Sequence, residues 1–435
     1  TAHRLLGVLV AAALLLLAAG AAQAEPTCAP GPYANCVGVN LDGVNLAGAD
    51  LTGINLTSAR LNGANLDGAD LRGARLVNAN LTAASLIGAD LRKANLKWAS
   101  FAIAKLNRAN LSGANAYEAD FDDANLSRVV WRASLINNVN LNGSTMTAAD
   151  LTRSTLVRTG FYQTSARGII LRDALLYASR TGNYDACGAD TSDFAGAVLA
   201  GARTVGTSPI SAGVSNGYPQ GNDFGQKQYG FGWCSVNLTG ADLRGAHLQS
   251  MFQSVRLARA DLRGAKLGRS TFYLVSSGGV RTSRATRLPV STQDGRPRIV
   301  AVGGYLLGPK MDLRGAKLAN RNLFALGAGD GGVARGIDLS NSDLSGADLS
   351  GATIRSVSLS HANLRRANLT GADLSWGDLT YALLGGANFT DAYAAEANFS
   401  NTVPTATTVL NHWDVGPLQW GNSDFRRIAV ARFDF

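Results

Sequence analysis

The sequence has few charged and few aromatic residues. Charged residues make up 16% and aromatic residues 7% of the 435 residues, whereas glycine is abundant, with 50 residues. Low charge combined with 46% hydrophobic residues excludes an intrinsically disordered chain, which needs high charge and low hydrophobicity. Small residues and scarce aromatic rings favour a narrow, tightly wound core.

Common catalytic and metal-binding signatures are also scarce. The sequence contains no phosphate-binding P-loop, no H-E-x-x-H and no C-x-x-C, which removes the usual motifs of nucleotide hydrolysis, zinc proteolysis and thiol redox chemistry. Its four histidines are far apart in the sequence. We therefore expect no catalytic residues, no metal ligands and no bound cofactor.

The first residues have the pattern of an export signal. His3 and Arg4 precede an apolar run, residues 5–22, and the small-x-small site Ala22-Gln23-Ala24 follows. This pattern predicts a secretory signal peptide, residues 1–24, cleaved after Ala24. A retained membrane anchor is the alternative, because the apolar run is nearly long enough to span a bilayer. Either interpretation predicts an exported protein of the periplasm or an equivalent lumenal, extracytoplasmic space.

A five-residue repeat dominates the rest of the chain. From Leu41 to Phe161 a bulky apolar residue recurs at every fifth position, with Ala116 as the only small member, and a small or β-branched residue lies two positions earlier. Side chains alternate along an extended chain, so both positions point to the same side and fill an interior. We call the bulky position i. A five-residue period fits neither an α-helix nor a plain strand, and Gly, Ser or Asn near i+2 favours a tight corner.

The repeat is interrupted and resumes several times, which predicts a chain built of blocks. The predicted segments are 1–24, signal peptide or anchor; 25–36, N-terminal cap; 37–162, repeat block; 163–235, insertions with a short repeat fragment; 236–272, repeat block; 273–312, Arg-rich insertion; 313–400, repeat block with a Gly-rich insertion; and 401–435, C-terminal tail.

Individual repeats resemble one known family. Ala69-Asp70-Leu71-Arg72-Gly73 and Ala347-Asp348-Leu349-Ser350-Gly351 are similar to A(D/N)LXX, the consensus of the pentapeptide-repeat family. The resemblance extends from about residue 37 to residue 400, insertions excepted. It implies an all-β fold, a right-handed quadrilateral β-helix with four pentapeptides per turn. Outward Asp and Asn residues at position i−1 are then repeat consensus and not catalytic carboxylates.

The cysteines are expected to form disulfides. An even number of cysteines in an exported chain indicates disulfide pairing, and three of the four lie just before the start of a repeat segment. The predicted pairs are Cys28–Cys36, which would pin the N-terminal cap, and Cys187–Cys234, which would close an insertion against the repeats.

Two insertions are candidates for partner binding. The insertion 273–311 has a net charge of +5, with Asp294 as its only acid, which favours an anionic partner through arginine's planar fork; a solvated mobile loop is the alternative. The insertion 203–235 is rich in aromatic residues, which are frequent interface anchors but would equally pack back onto the repeats. The candidate binding residues are Arg281, Arg284, Arg287, Arg296, Arg298, Tyr229, Phe231 and Trp233.

These observations together favour an exported, non-catalytic scaffold that presents loops on a β-helix for binding a protein or an anionic envelope surface. If residues 5–24 are retained, the alternative is a membrane-anchored accessory subunit of an envelope complex. Family members that mimic DNA and bind gyrase need a strongly negative surface, whereas this chain has a net charge of +9. Export would also separate it from gyrase, and we expect no nucleic-acid partner. An enzyme whose site is assembled from insertion residues is the remaining alternative.

Overall fold

The computed structural model of the chain forms two compact units, Thr1–Leu248 and Gln249–Phe435, which are described separately. The described residues are 28–177, 192–204, 232–234, 236–248, 251–267, 270–273, 275–283, 285–288, 299–302, 304–323 and 337–410. The predicted signal peptide or anchor, residues 1–24, therefore lies outside the described residues.

Regular secondary structure in the described residues consists of short β-strands. The strands are β1 (Leu135–Asn137), β2 (Thr155–Val157), β3 (Leu175–Tyr177), β4 (Ser192–Asp193), β5 (Arg203–Thr204), β6 (Gly232–Cys234), β7 (Val236–Asn237), β8 (Met251–Gln253), β9 (Thr271–Tyr273), β10 (Val300–Val302) and β11 (Tyr305–Leu307). In this part of the chain no helix has the length and apolar character needed to cross a membrane.

Most of the ladder consists of single-residue bridges between successive coils. Asp50 pairs with Asp70, Asp70 with Asp90 and Asp90 with Asn110, always in parallel. Paired residues are 20 positions apart, so four pentapeptides make one coil. The longer strands β1, β2 and β3 follow the same spacing. The strand β5 extends their parallel sheet, although Leu175 pairs with Arg203, 28 positions later. The described residues of each unit therefore form a parallel β-helix, in which successive coils pair with each other.

One pentapeptide shows how the sequence produces the coil. The amide of Leu71 donates to the carbonyl of Asp90 at 2.8 Å, and the amide of Asp70 donates to that of Ala49 at 2.9 Å, one coil in the other direction. Gly73 has a φ of 67° and turns the corner, and the amide of Ala74 then closes the turn on the carbonyl of Leu71 at 3.0 Å. The small and bulky positions of the repeat, here Ala69 and Leu71, are both 0% exposed.

Bulky aromatic residues stack along the interior of the first unit. The rings of Phe101 and Phe121, one coil apart, lie 4.7 Å apart and nearly parallel, and Trp131 lies 5.3 Å from Phe121. Serine also occurs at position i−2, where its hydroxyl group donates to a backbone carbonyl. Ser144 Oγ donates to the carbonyl of Leu141 at 2.6 Å, and Ser154 Oγ donates to that of Trp131 at 2.7 Å. Buried serine at this position therefore leaves no polar group unpaired.

The first unit contains more coil than the repeat pattern indicates. Ala166, Leu171 and Leu176 continue position i through a segment assigned to an insertion, and all three are at most 2% exposed. At the other end Cys36, assigned to the cap, occupies position i and is 1% exposed. A disulfide joins it to Cys28. Cys187 lies outside the described residues, so the pairing Cys187–Cys234 stays a prediction.

The second unit contains coils both before and after an antiparallel hairpin. Residues 275–288, assigned to the Arg-rich insertion, pair in parallel with the preceding coil through Arg256–Ser276, Asp261–Arg281 and Lys266–Arg287. The hairpin β10–β11 follows. Its residue Leu306 is 0% exposed and donates its amide to Ser277 Oγ at 2.8 Å. Only part of the predicted insertion therefore departs from the coil. Regular coil resumes at residue 311, where Asp312 pairs with Ser276 and with Asp343, and the described coils reach into the predicted tail, to residue 410.

Replacing a position-i leucine by a carboxylate will unfold the coils around it. Leu71→Asp removes roughly 2 kcal/mol of apolar burial and adds the cost of several kcal/mol for burying an unpaired acid. We expect a large drop in the melting temperature measured by circular dichroism. Lys93→Asp, at an exposed i+2 position, is the control and will change stability by less than about 0.5 kcal/mol. Equal melting temperatures for Leu71→Asp and the unchanged protein would show that Leu71 does not face the core.

Neighbouring alanines will respond in opposite ways to glycine. Ala83 occupies a corner with a φ of 58°, where a Cβ costs about 1–2 kcal/mol, so Ala83→Gly will be neutral or stabilising by up to about 1 kcal/mol after the entropy of the unfolded chain is included. Ala84 is 0% exposed, so Ala84→Gly will destabilise by roughly 1–2 kcal/mol. Denaturant unfolding measures both, and a greater loss at Ala83 than at Ala84 would contradict the assigned corner.

Candidate functional site

Several arginines on the outer surface of the first unit are paired with carboxylates. Arg72 Nε and Nη2 donate to the two oxygens of Asp70 at 2.8 and 2.6 Å, and Arg92 repeats the arrangement with Asp90 one coil later. The side-chain hydrogen bond from Arg72 lowers the pKa of Asp70 below its ordinary value. These guanidinium groups are thus largely neutralised by neighbours on the same surface.

The beginning of the second unit has a different charge balance. Six cationic side chains project outward from the coils 255–288, and all six are exposed. We call them the basic coil surface; its members are Arg256, Arg259, Arg263, Lys266, Arg281 and Arg287. Among the described residues of these coils Asp261 is the only acid. Cations therefore outnumber acids by six to one among the described residues of these coils.

The β-bridges place these cations on neighbouring rungs. Lys266 pairs directly with Arg287, and Asp261 with Arg281. Adjacent parallel rungs are about 4.8 Å apart, and like charges directly opposite each other on such rungs are destabilising. The Lys266–Arg287 rung therefore brings two cations together at an electrostatic cost that a bound anion would relieve.

Asp261 holds two of the arginines. Arg263 Nη2 lies 2.7 Å and Arg281 Nη1 3.9 Å from Asp261 Oδ2. The hydrogen bond from Arg263 is the main cause that lowers the pKa of Asp261 below its ordinary value, and the charge of Arg281 adds to it. Asp261 therefore stays ionised at neutral pH and interacts with both guanidinium groups.

Only part of the predicted binding set lies in the described residues. Arg281 and Arg287 belong to the basic coil surface, on a coil and not on a loop as expected. Trp233 lies in β6, but its side chain is outside the described part. The remaining predicted binding residues, which are also outside it, are Arg284, Arg296, Arg298, Tyr229 and Phe231.

The repeat pattern did not indicate the other members of the basic coil surface. Arg256, Arg259, Arg263 and Lys266 stand at ordinary outward repeat positions, where a single charge carries no signal. The available signal was the local charge: from residue 256 to residue 287 the sequence has eight Lys and Arg residues and one acid. This excess begins in a repeat block and continues into the predicted insertion.

Exposed aromatic rings mark corners in both units. Trp98 is 50% exposed, has a φ of 58° and donates its indole N–H to Glu118 at 2.9 Å. In the second unit the Arg355 guanidinium lies 4.6 Å from the centre of the Trp376 ring, and Tyr381 stacks on His361 at 4.7 Å. Large residues therefore occupy i+2 corners that the pattern assigned to Gly, Ser or Asn.

Features of catalysis are scarce in the described residues. There, no group of three or more His, Cys, Asp or Glu side chains could hold a metal ion. Gly213–Gly217 reads Gly-Val-Ser-Asn-Gly, a match to the G-x-S-x-G pattern of hydrolases that requires a strand-to-helix turn. This pentapeptide lies outside the described residues, so the enzyme alternative stays a hypothesis.

Several solved structures are similar to this chain. HetL, a pentapeptide repeat protein involved in heterocyst differentiation regulation in the cyanobacterium Nostoc sp. strain PCC 7120, is 21% identical, with 83% of this chain and 92% of HetL covered and a TM-score of 0.20. The plasmid-mediated fluoroquinolone resistance protein QnrB1 is 15% identical, with 54% and 87% covered and a TM-score of 0.28. A pentapeptide repeat protein from the Arabidopsis thaliana thylakoid lumen is 27% identical, with 30% and 72% covered and a TM-score of 0.12.

The family assignment rests on the repeats themselves. No curated protein matches this chain. The family model for pentapeptide repeats matches eight copies, within residues 34–73, 64–101, 94–130, 235–273, 335–371 and 367–403. The matched residues coincide with coils in which bridge partners are 20 positions apart, such as Asn65 and Ser85. The chain therefore belongs to the pentapeptide-repeat family.

Proposed function

We propose that this protein is an exported, non-catalytic interaction scaffold whose basic coil surface binds an anionic envelope surface. The observation that carries the proposal is the Lys266–Arg287 rung, with four further exposed cations around it and Asp261 as the single described acid on these coils.

The rigidity of the coils supports a binding role for these cations. Each side chain projects from a backbone position fixed by bonds to the next coil; the amide of Arg281, for example, donates to the carbonyl of Ala260 at 2.9 Å. Cations on a rigid framework lose less conformational entropy on binding than cations on a loop. Each cation near an anionic membrane surface contributes about 1 kcal/mol, so several that face the membrane together give salt-sensitive attachment.

Export and winding are further parts of the proposal. The pattern in residues 1–24 supports a signal peptide, and the disulfide Cys28–Cys36 suits an oxidising compartment. The right-handed, four-sided winding implied by the family would place the basic coil surface on consecutive sides of the coil. An acidic protein in place of the envelope surface is the second candidate partner, since the same cations would pair with its carboxylates.

Removing the charge of the basic coil surface will abolish binding to anionic vesicles. We expect Arg256, Lys266, Arg281 and Arg287, replaced together by Gln, to weaken cosedimentation with phosphatidylglycerol-containing vesicles at least tenfold at low ionic strength, because about 1 kcal/mol is lost per cation. Moderate salt will narrow the difference by screening. Vesicles of phosphatidylcholine alone test for binding that does not depend on charge.

The matched control removes the same charge from exposed positions in the first unit. Arg128, Arg153, Arg158 and Arg172, all replaced by Gln, will reduce vesicle binding by less than about twofold. Equal loss in the two quadruple variants would mean that net charge alone drives attachment. No vesicle binding by the unchanged protein, together with retention on an acidic protein from the envelope, would support the second partner instead.

The mature protein is predicted to begin at Glu25. Mass spectrometry of the protein isolated from the envelope of its native cell will give an N-terminal peptide that starts at Glu25-Pro26, because cleavage follows Ala24. A membrane fraction that contains intact residues 1–24 would replace the signal peptide with the anchor, and would make the protein a membrane-anchored accessory subunit.

A further inference from the structure

A notch opens at one corner of the coils in the second unit, away in sequence from the basic coil surface. It encloses about 530 Å³, and its lining includes Arg365 and Arg366 from one coil and Gly385 from the next. Ser345 lies on the preceding coil, and Thr405 and Thr407 on the following one. Charged and hydroxyl-bearing side chains therefore surround a place where the middle coil has no side chain.

The notch exists because Gly385 and Gly386 have no Cβ. A Cβ at Gly385 would lie 3.1 Å from Thr405 Cγ2 and 3.6 Å from Arg365 Cγ. A Cβ at Gly386 would lie 3.3 Å from Thr407 Oγ1 and 3.4 Å from Arg366 Cγ. Any other residue would thus fill the space between the arginine stems on one side and the threonines on the other.

The same corner breaks the backbone hydrogen-bond pattern. At earlier coils the corner amide donates to the next coil: Gly346 N–H to the carbonyl of Arg365 at 2.8 Å, and Arg366 N–H to that of Gly385 at 2.9 Å. Beyond Gly386 the chain has an extra residue, since Leu383 pairs with Val403 but Asn388 pairs with Val409. Within the described part of the chain, the amides of Gly385 and Gly386 have no hydrogen-bond acceptor.

The two arginines also have no acidic partner. Arg314 stands at the same corner on an earlier coil, and its Nη2 lies 2.8 Å from Asp312 Oδ2. By contrast, no carboxylate in the described residues lies within 4.0 Å of the guanidinium of Arg365 or Arg366. Two guanidinium groups, two backbone amides and the hydroxyl groups of Thr405 and Thr407, 3.0 Å apart, are thus available on the sides of one notch.

We propose that this notch binds a phosphate group. Consecutive backbone amides that turn a corner make anion-binding concavities, and arginine's fork pairs with two phosphate oxygens at once. Donors approach from the coil below, the middle coil and the coil above, which suits the tetrahedral arrangement of phosphate oxygens. A planar carboxylate would leave one set of donors without a partner.

The phosphate site differs from the basic coil surface in position and in chemistry. The basic coil surface presents cations along exposed rungs and acts through total charge, so its binding decreases steadily with salt. The notch holds one group through directed hydrogen bonds, which predicts saturable binding with one phosphate per chain. Neither site depends on the other, and failure of one leaves the other untouched.

Isothermal titration calorimetry with inorganic phosphate, at constant ionic strength, tests the proposal. The unchanged protein will bind one phosphate per chain. The double variant Arg365→Gln with Arg366→Gln will bind at least tenfold more weakly, because charge-assisted hydrogen bonds are lost. Gly385→Ala keeps every charge but fills the notch, and will weaken phosphate binding as well. The charge-matched control, Arg128→Gln with Arg153→Gln in the first unit, will bind as the unchanged protein does.

Further measurements identify the source and the shape of the ligand. Acetate in place of phosphate will produce no saturable binding. Vesicles that contain phosphatidic acid show whether a lipid headgroup reaches the notch. Vesicle binding that needs Arg365 and Arg366 would assign the phosphate to a lipid. Binding of free phosphate without such vesicle binding would assign it to a soluble phosphomonoester. The proposal is overturned if phosphate does not bind saturably and vesicle binding does not need Arg365 and Arg366, if acetate binds as tightly as phosphate, or if the two double variants behave alike.

Discussion

The backbone hydrogen bond from one coil to the next is the interaction on which this structure depends. In the pentapeptide 70–74, three amides donate to carbonyls of neighbouring coils. The other two donate within their own turn, Arg72 N–H to the Asp70 carboxylate and Ala74 N–H to the Leu71 carbonyl. Because partners come from coils 20 residues apart, each strand has bonding groups on both sides, and no pentapeptide is stable alone. The interior then has room for one bulky residue per side, which is why Ala69 must be small beside Leu71.

The core and the outward charges depend on this framework in different ways. The narrow interior selects core residues by size and polarity, so position i is uncharged in the described coils of both units. Outward residues are specified only by what lies one coil above and below. At Arg132 in the first unit that neighbour is a carboxylate, Asp150, whereas at the Lys266–Arg287 rung both members are cations. The same backbone therefore supports a neutralised surface and a charged one.

Most of the coil was predictable from the sequence, because a five-residue period over many repeats has no other simple solution. The five-residue period does not indicate a coil where a polar residue occupies position i. Ser277 stands at that position and is 1% exposed; the buried Leu306 of the hairpin lies against it and supplies apolar volume from outside the repeat. The spacing of leucines does not indicate a core that a hairpin distant in sequence completes. The sequence therefore predicts an insertion where residues 275–288 form coil.

The candidate sites were less predictable than the fold. The excess of arginine near Arg281 was visible in the sequence, but its placement on rungs with Arg256 and Lys266 required the pairing of coils. Nothing in the local sequence marks the notch at Gly385, because glycine is frequent at corners throughout the chain. Its open amide arises from a single extra residue before Val409, which is visible only when the coils are stacked.

The spacing between bridge partners has a consequence for how such a chain can change in length. Partners are usually 20 residues apart, yet Asp193 pairs with Asn237, a separation of 44, and Asp312 pairs with Asp343. In each case the strand returns to its place and the parallel ladder continues. Inserted segments can therefore be accommodated without displacing the coils. Deletion of a single pentapeptide inside a coil, by contrast, would shift every later residue to a different side of the coil.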